Sequence, residues 1–275
     1  MKLVLLGDPH YPAVDTGDVQ GCQIRRELYR TLFSRMAQED ADAYIAVGDL
    51  TNSGSAEDLN DFLQLSQELN APFYFVLGNH DTHGCTKAEF LRVAKQERYF
   101  GVEMEQANLF FIDTTMETRV DDWIGIMDQT QYTWLKKGVA ESDKPVFVVG
   151  HHPVWNTTRR SDERKLYVHE NMWEILGQRA GGVYLNGHAH VHSIMEQRGW
   201  LFVQTADFLS DLDYRVLQFD GERVTVTTKA CNDQEVLAHR LTQGMAHYTR
   251  CRDLSRTKED LQYTCCIGKG RRMEP

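Results

Sequence analysis

Nowhere in these 275 residues does an apolar run approach the roughly 18 residues that cross a bilayer, which argues against a helical membrane span. The opening run, Met-Lys-Leu-Val-Leu-Leu-Gly-Asp, is too short for the apolar core of a signal peptide. It also leads straight into a chemistry-bearing residue that cleavage would threaten, so the expected location is the cytoplasm. Cysteine is sparse for a stapled fold. Six residues (Cys22, Cys85, Cys231, Cys251, Cys265, Cys266) are scattered along the chain and none forms Cys-x-x-Cys, so reduced thiols are expected. A zinc knot from His247, Cys251, Cys265 and Cys266 fits structural zinc spacing poorly, because two of its cysteines are adjacent. Positive charge is also short. Lys and Arg number 30 against 40 Asp and Glu, a net charge of −10, which argues against sequence-independent nucleic-acid binding. A small anionic substrate stays compatible with that balance, because bound cations dominate the field of a metal site.

With 41% hydrophobic and 25% charged residues, the chain has an ordinary globular composition and enough length for one large domain, or at most two. No internal repeat or low-complexity linker divides it. Apolar, β-rich runs recur at 3–6, 44–47, 73–77, 109–112, 146–149 and 183–185. Helical periodicity separates the first three: Ile24, Leu28, Leu32, Phe33 and Met36 share one face of 23–38, and Leu59, Phe62, Leu63, Ser66 and Leu69 share one face of 57–69. Ser55 is the expected N-cap of the second helix. Alternating strands and helices predict an α/β architecture with crossover connections. Beyond Gly187, runs at 200–204, 214–219 and 223–228 predict a meander finishing a second sheet, with Asp220-Gly221 as its hairpin turn. From about His247 periodicity fades and basic residues outnumber acidic ones, which predicts a C-terminal basic tail or edge extension over 247–275.

Five of the apolar runs end in Gly followed directly by a metal-capable residue: Gly7-Asp8, Gly48-Asp49, Gly78-Asn79, Gly150-His151 and Gly187-His188. His10 and His190 follow the first and last of these by two residues. Glycine at a strand end permits a sharp turn and a close backbone approach, so the next side chain can enter a cleft. Two carboxylates, one amide and four imidazoles offer only oxygen and nitrogen, the donor set of two hard-to-borderline cations. Such a pair clamps the attacking and leaving oxygens of a displacement at phosphorus. Two divalent ions offset by two carboxylates and a bridging hydroxide leave one positive charge, which suits a monoanionic phosphodiester.

The ordered set Asp8-x-His10, Gly48-Asp49, Gly78-Asn79-His80-Asp81, Gly150-His151-His152-Pro153 and Gly187-His188-Ala189-His190 resembles the calcineurin-like metallophosphoesterase superfamily over residues 7–190. Asp after Gly-Asn-His, with Thr51-Asn52-Ser53-Gly54 after Gly-Asp, is similar to the class III cyclic nucleotide phosphodiesterase and glycerophosphodiesterase branch. The resemblance implies a four-layer αββα sandwich, two mixed sheets face to face with helices outside, as a catalytic domain over 1–246. It implies one metal held by Asp8, His10, Asp49 and His190, and a second held by Asp49, Asn79, His151 and His188. It places His80 over the reacting phosphorus, with Asp81 orienting it.

Substrate contacts are expected from Asn52, His83, His152, Trp155 and Arg159, which flank these motifs; Arg suits phosphate through bidentate hydrogen bonds. His152 is open to two other readings, a hydrogen bond within its own loop and direct metal ligation. The expectation is a hydrolase of small phosphodiesters that uses two Mn, Fe or Zn ions and a metal-bridging hydroxide. The sequence leaves homo-oligomerisation open and gives no sign of nucleic-acid or membrane partners. A phosphomonoesterase or protein phosphatase on the same fold, and a non-catalytic metal-binding module, are the alternatives.

Overall fold

Strand-forming runs bounded by glycine and polar turns build two six-stranded sheets in the computed structural model, which describes residues 1–117, 124–163, 166–168, 172–242 and 256–267. Edge to edge, the first sheet runs Gln262–Cys266, Arg223–Ala230, Asp213–Phe219, Lys2–Leu6, Ala43–Ala46 and Phe73–Phe75. Its last three strands are parallel and the others pair antiparallel. The second sheet runs Ser193–Gln197, Trp200–Gln204, Gly182–Asn186, Val146–Val149, Asn108–Phe111 and Phe100–Glu103, parallel through its four central strands.

The pleat sorts the core. Along Lys2–Leu6, Leu3 and Leu5 meet Phe147, Val149, Val183 and Leu185 between the sheets. Val4 and Leu6 face the other way, onto Leu28, Leu32 and Phe33 of helix Val19–Ala37 and Leu59 and Phe62 of helix Ala56–Ser66. A third cluster packs Tyr132, Leu135 and Val139 of helix Gln129–Glu141 on the outer face of the second sheet. Three apolar interfaces stacked in this way make the four-layer αββα sandwich. Ser55 caps its helix as expected, accepting from the Asp58 amide.

One expectation is corrected. The hairpin at Asp220-Gly221 forms, but its strands belong to the first sheet and not to a meander with Trp200–Gln204. After Gln204 the chain crosses between sheets, and Asp213–Phe219 docks antiparallel on Lys2–Leu6. Within 247–275, residues 257–266 give a Thr257-capped turn of helix and strand Gln262–Cys266, which extends the first sheet. His247 and Cys251 lie outside the described residues. The other five cysteines are free thiols, and no helix among the described residues is long and apolar enough to cross a membrane.

Candidate metal centre

Parallel pairing puts the C-terminal ends of Lys2–Leu6, Ala43–Ala46 and Phe73–Phe75 at one end of the first sheet, and those of Val146–Val149 and Gly182–Asn186 at one end of the second. The seven candidate ligands leave from these five ends and converge across the gap between the sheets. The glycines make the convergence sterically possible. A Cβ on Gly187 would lie 2.0 Å from Asp8 Oδ1, and one on Gly48, at φ +101°, would lie 2.4 Å from His151 Nδ1.

The donors form two adjoining groups. Asp8, His10, Asp49 and His190 each bring one atom within 4.8 Å of the others. His190 Nε2 is 3.0 Å from His10 Nε2 and 3.4 Å from Asp8 Oδ2. His151 Nε2 is 3.1 Å from Asn79 Oδ1 and 3.1 Å from His188 Nδ1. Asp49 Oδ2 touches both groups, 3.6 Å from His10 Nε2 and 3.5 Å from His151 Nε2. The His151 Nδ1 hydrogen is directed at the Val47 carbonyl, 2.8 Å away, which leaves Nε2 with its lone pair facing the centre. Burial, followed by the nearby Asp49 and Asp207 carboxylates, pushes the Asp8 carboxyl well above the usual range. Burial likewise lowers His151. Buried carboxylates packed among imidazole lone pairs call for positive charge between them, and this oxygen–nitrogen donor set fits cations of the Mn, Fe or Zn type.

Backbone strain is concentrated at the same residues. Asp8, His10, Asp49, His188 and His190 have φ of 22°, 44°, 49°, 66° and 56°, a region that costs a non-glycine residue on the order of 1–3 kcal/mol. Neighbouring bonds hold it in place. His10 and Tyr11 amides donate to the Asp49 and Leu50 carbonyls at 2.8 and 2.9 Å, the Tyr29 hydroxyl donates to the Pro9 carbonyl, and the His188 amide donates to Asp8 Oδ2 at 2.7 Å.

His80 sits beside this centre, its ring 4.6 Å from that of His10, and its amide donates to Asp49 Oδ1 at 2.8 Å. Its Nδ1 is 2.9 Å from the Asn52 backbone carbonyl. The expectation that Asp81 orients His80 is therefore corrected. The Asp81 carboxylate is buried and accepts instead from the amides of Leu50, Thr51 and Gly78 and from the Thr51 hydroxyl, at 2.9–3.1 Å. Asp81 ties two ligand-bearing loops together, while burial and Asp49 push its carboxyl up to about 7.

The flanking candidates separate. Asn52 is buried next to His80, and the half-buried His83 ring lies 4.5 Å from the His80 ring. Trp155 is exposed. His152 is wholly buried and brings a ring nitrogen within 4.8 Å of donor atoms of His151 and His188, which makes it a further candidate ligand. It bonds Thr114 Oγ1 at 2.8 Å and packs 4.2 Å from the His188 ring. Arg159 departs from expectation too, pairing with Asp260 at 3.0 Å, and Arg160 pairs with Glu163. Asp207, 3.6 Å from His190 Nδ1, had no sequence signal, because no glycine precedes it. A further cluster, His192, Asp211 and Asp213, is accounted for by charge: Arg256 donates to Asp211, and His192 Nε2 lies 3.0 Å from Asp213 Oδ1.

The sequence profile of the calcineurin-like phosphoesterases matches residues 1–192. The chain belongs to that family. Among curated relatives, this chain is 31% identical to purple acid phosphatase 4 of Arabidopsis thaliana over 46% of its own length and 43% of the relative's. It is 29% identical to the glycerophosphodiester phosphodiesterase GpdQ of Enterobacter lignolyticus, over 42% and 43%. It thus spans less than half the length of each. In structure, the chain superposes on a dimetal phosphatase from Danio rerio with a TM-score of 0.69 at 12% identity, covering 84% of this chain and 96% of that one. A purple acid phosphatase from yellow lupin gives 0.59 at 15%, covering 85% and 52%. Both likenesses establish the fold, two face-to-face sheets flanked by helices.

Proposed function

We propose that the protein is a hydrolase of small phosphodiesters, with one metal held by Asp8, His10, Asp49 and His190 and a second by Asp49, Asn79, His151 and His188. The observation that carries the two-metal reading is the position of Asp49 Oδ2 between the donor groups. Two bound divalent ions would polarise the phosphate and make a water-derived nucleophile available at neutral pH. The chain's own groups do the rest. The Asn52 carbonyl and the Asp49 carboxylate fix the His80 ring and backbone, which leaves Nε2 to stabilise charge at phosphorus or to protonate the departing alkoxide.

Support for a diester comes from the loop at 151–160. Its two arginines pair with Asp260 and Glu163, which offsets part of the positive charge they would offer a dianionic monoester. Similarity to a glycerophosphodiester phosphodiesterase points the same way. Similarity to purple acid phosphatases favours a second reading, a phosphomonoesterase. Hydrolysis of bis(p-nitrophenyl) phosphate and p-nitrophenyl phosphate, each with Mn²⁺, Zn²⁺ or chelator, separates the two. Diester preference that chelator abolishes is the expected result, and monoester preference overturns the substrate class.

A further inference from the structure

Two candidate ligands turn their second ring nitrogen toward different acceptors. In His151, Nδ1 faces the Val47 carbonyl at 2.8 Å; in His190, Nδ1 faces Asp207 Oδ1 at 3.6 Å. Asp207 is buried and comes from the segment that crosses between the sheets, outside every metal-ligand motif. Close contacts fix that segment against the centre. The Phe208 amide donates to the Gly7 carbonyl at 3.1 Å, and the Thr205 amide donates to the Asn186 carbonyl at 2.8 Å. The Ala206 carbonyl oxygen would lie 1.9 Å from a Cβ on Gly7. The two oxygens of Asp207 divide their tasks. Oδ2 accepts from the Ser210 amide at 3.1 Å, capping the helical turn Phe208–Asp211, and Oδ1 faces the imidazole. On the far side of that ring, Nε2 faces Asp8 Oδ2 at 3.4 Å and His10 Nε2 at 3.0 Å. A carboxylate at one ring nitrogen favours the hydrogen there and leaves the other nitrogen its lone pair.

The geometry points to Asp207 as the positioning residue of His190: its carboxylate keeps the hydrogen on Nδ1, so that Nε2 offers a lone pair to the cation shared with Asp8, His10 and Asp49. This rests on the two-metal reading above. A neutral carbonyl serves His151 in the same way, whereas His190 faces a full negative charge, which makes its ring the more basic donor.

Asp207→Asn separates this role from capping. Asn is also a good N-cap, so its one oxygen can keep the Ser210 amide. Its NH2 group then faces Nδ1, and two donors cannot pair, which drives the imidazole hydrogen to Nε2. The test measures Mn²⁺ binding to the metal-free full chain by equilibrium dialysis, with thermal unfolding of the same metal-free samples. The unaltered chain should bind two ions, and the variant should bind one of them about 10–100-fold more weakly. Its metal-free unfolding midpoint should not fall. In a His190→Ala background the same substitution should change Mn²⁺ affinity by less than about twofold, because the ring it acts through is gone. Unchanged affinity for both ions overturns the assignment, as does an equal loss in the His190→Ala background. A lower metal-free midpoint with both affinities reduced together would give Asp207 a capping role alone and overturn it as well. Should the unaltered chain bind fewer than two ions, the two-metal reading fails first and the assignment falls with it.

Discussion

Adjacent in the chain, His80 and Asp81 face different neighbours, and their variants should fail differently. His80→Ala removes the ring beside His10 while leaving every candidate ligand in place. Turnover should fall by roughly 10²–10⁴, the usual range for a positioned acid–base group, with metal content unchanged by elemental analysis. A variant stripped of metal would show that the ring belongs to the ligand set. Asp81→Ala deletes the acceptor of three backbone amides and a hydroxyl. Buried donors left unpaired cost about 1–3 kcal/mol each, so urea unfolding should show a loss of about 3 kcal/mol or more. An unchanged midpoint would mean that these loops do not depend on the carboxylate. Arg159→Ala tests the corrected reading of that residue. Losing its pair with partly exposed surroundings should cost about 1 kcal/mol, with KM for a diester within about twofold; a KM raised tenfold would return Arg159 to the phosphate.

At the scale of elements, what the sequence disclosed followed the strand ends. The Gly-ligand junctions were legible because close approach leaves a mark in the sequence: only glycine tolerates an atom 2.0 Å from where its Cβ would be. Gly187→Ala should therefore displace Asp8 and lower metal content, while circular dichroism keeps the sandwich signature. Full metal occupancy would contradict that. Ser55 and the periodic faces of the first two helices were legible for the same reason, since capping and amphipathicity are local. The sheet assignment of Asp213–Phe219, the Arg159–Asp260 pair and the approach of Asp207 to His190 were not. Each depends on where a distant segment docks, and no local pattern records the partner. Asp81 misled because sequence adjacency to His80 says nothing about which loop its carboxylate reaches.

For the molecule as a whole, two sheets bring buried carboxylates and strained ligand backbones together at one end, with Asp49 between two sets of donors. Cations that bind only the folded state stabilise it in proportion to the logarithm of their concentration over Kd, about 2.7 kcal/mol at a hundredfold excess. Chelator should accordingly lower Tm, and Asp49→Ala should remove most of that response. Titration of the metal-free protein with Mn²⁺, following bound ions and diester hydrolysis in the same samples, is the most direct measurement. Hydrolysis should rise to its plateau at two ions per chain, and Asp49→Ala should remain inactive at any Mn²⁺ concentration. Full activity at one ion, or in chelator, would contradict a binuclear centre bridged by Asp49.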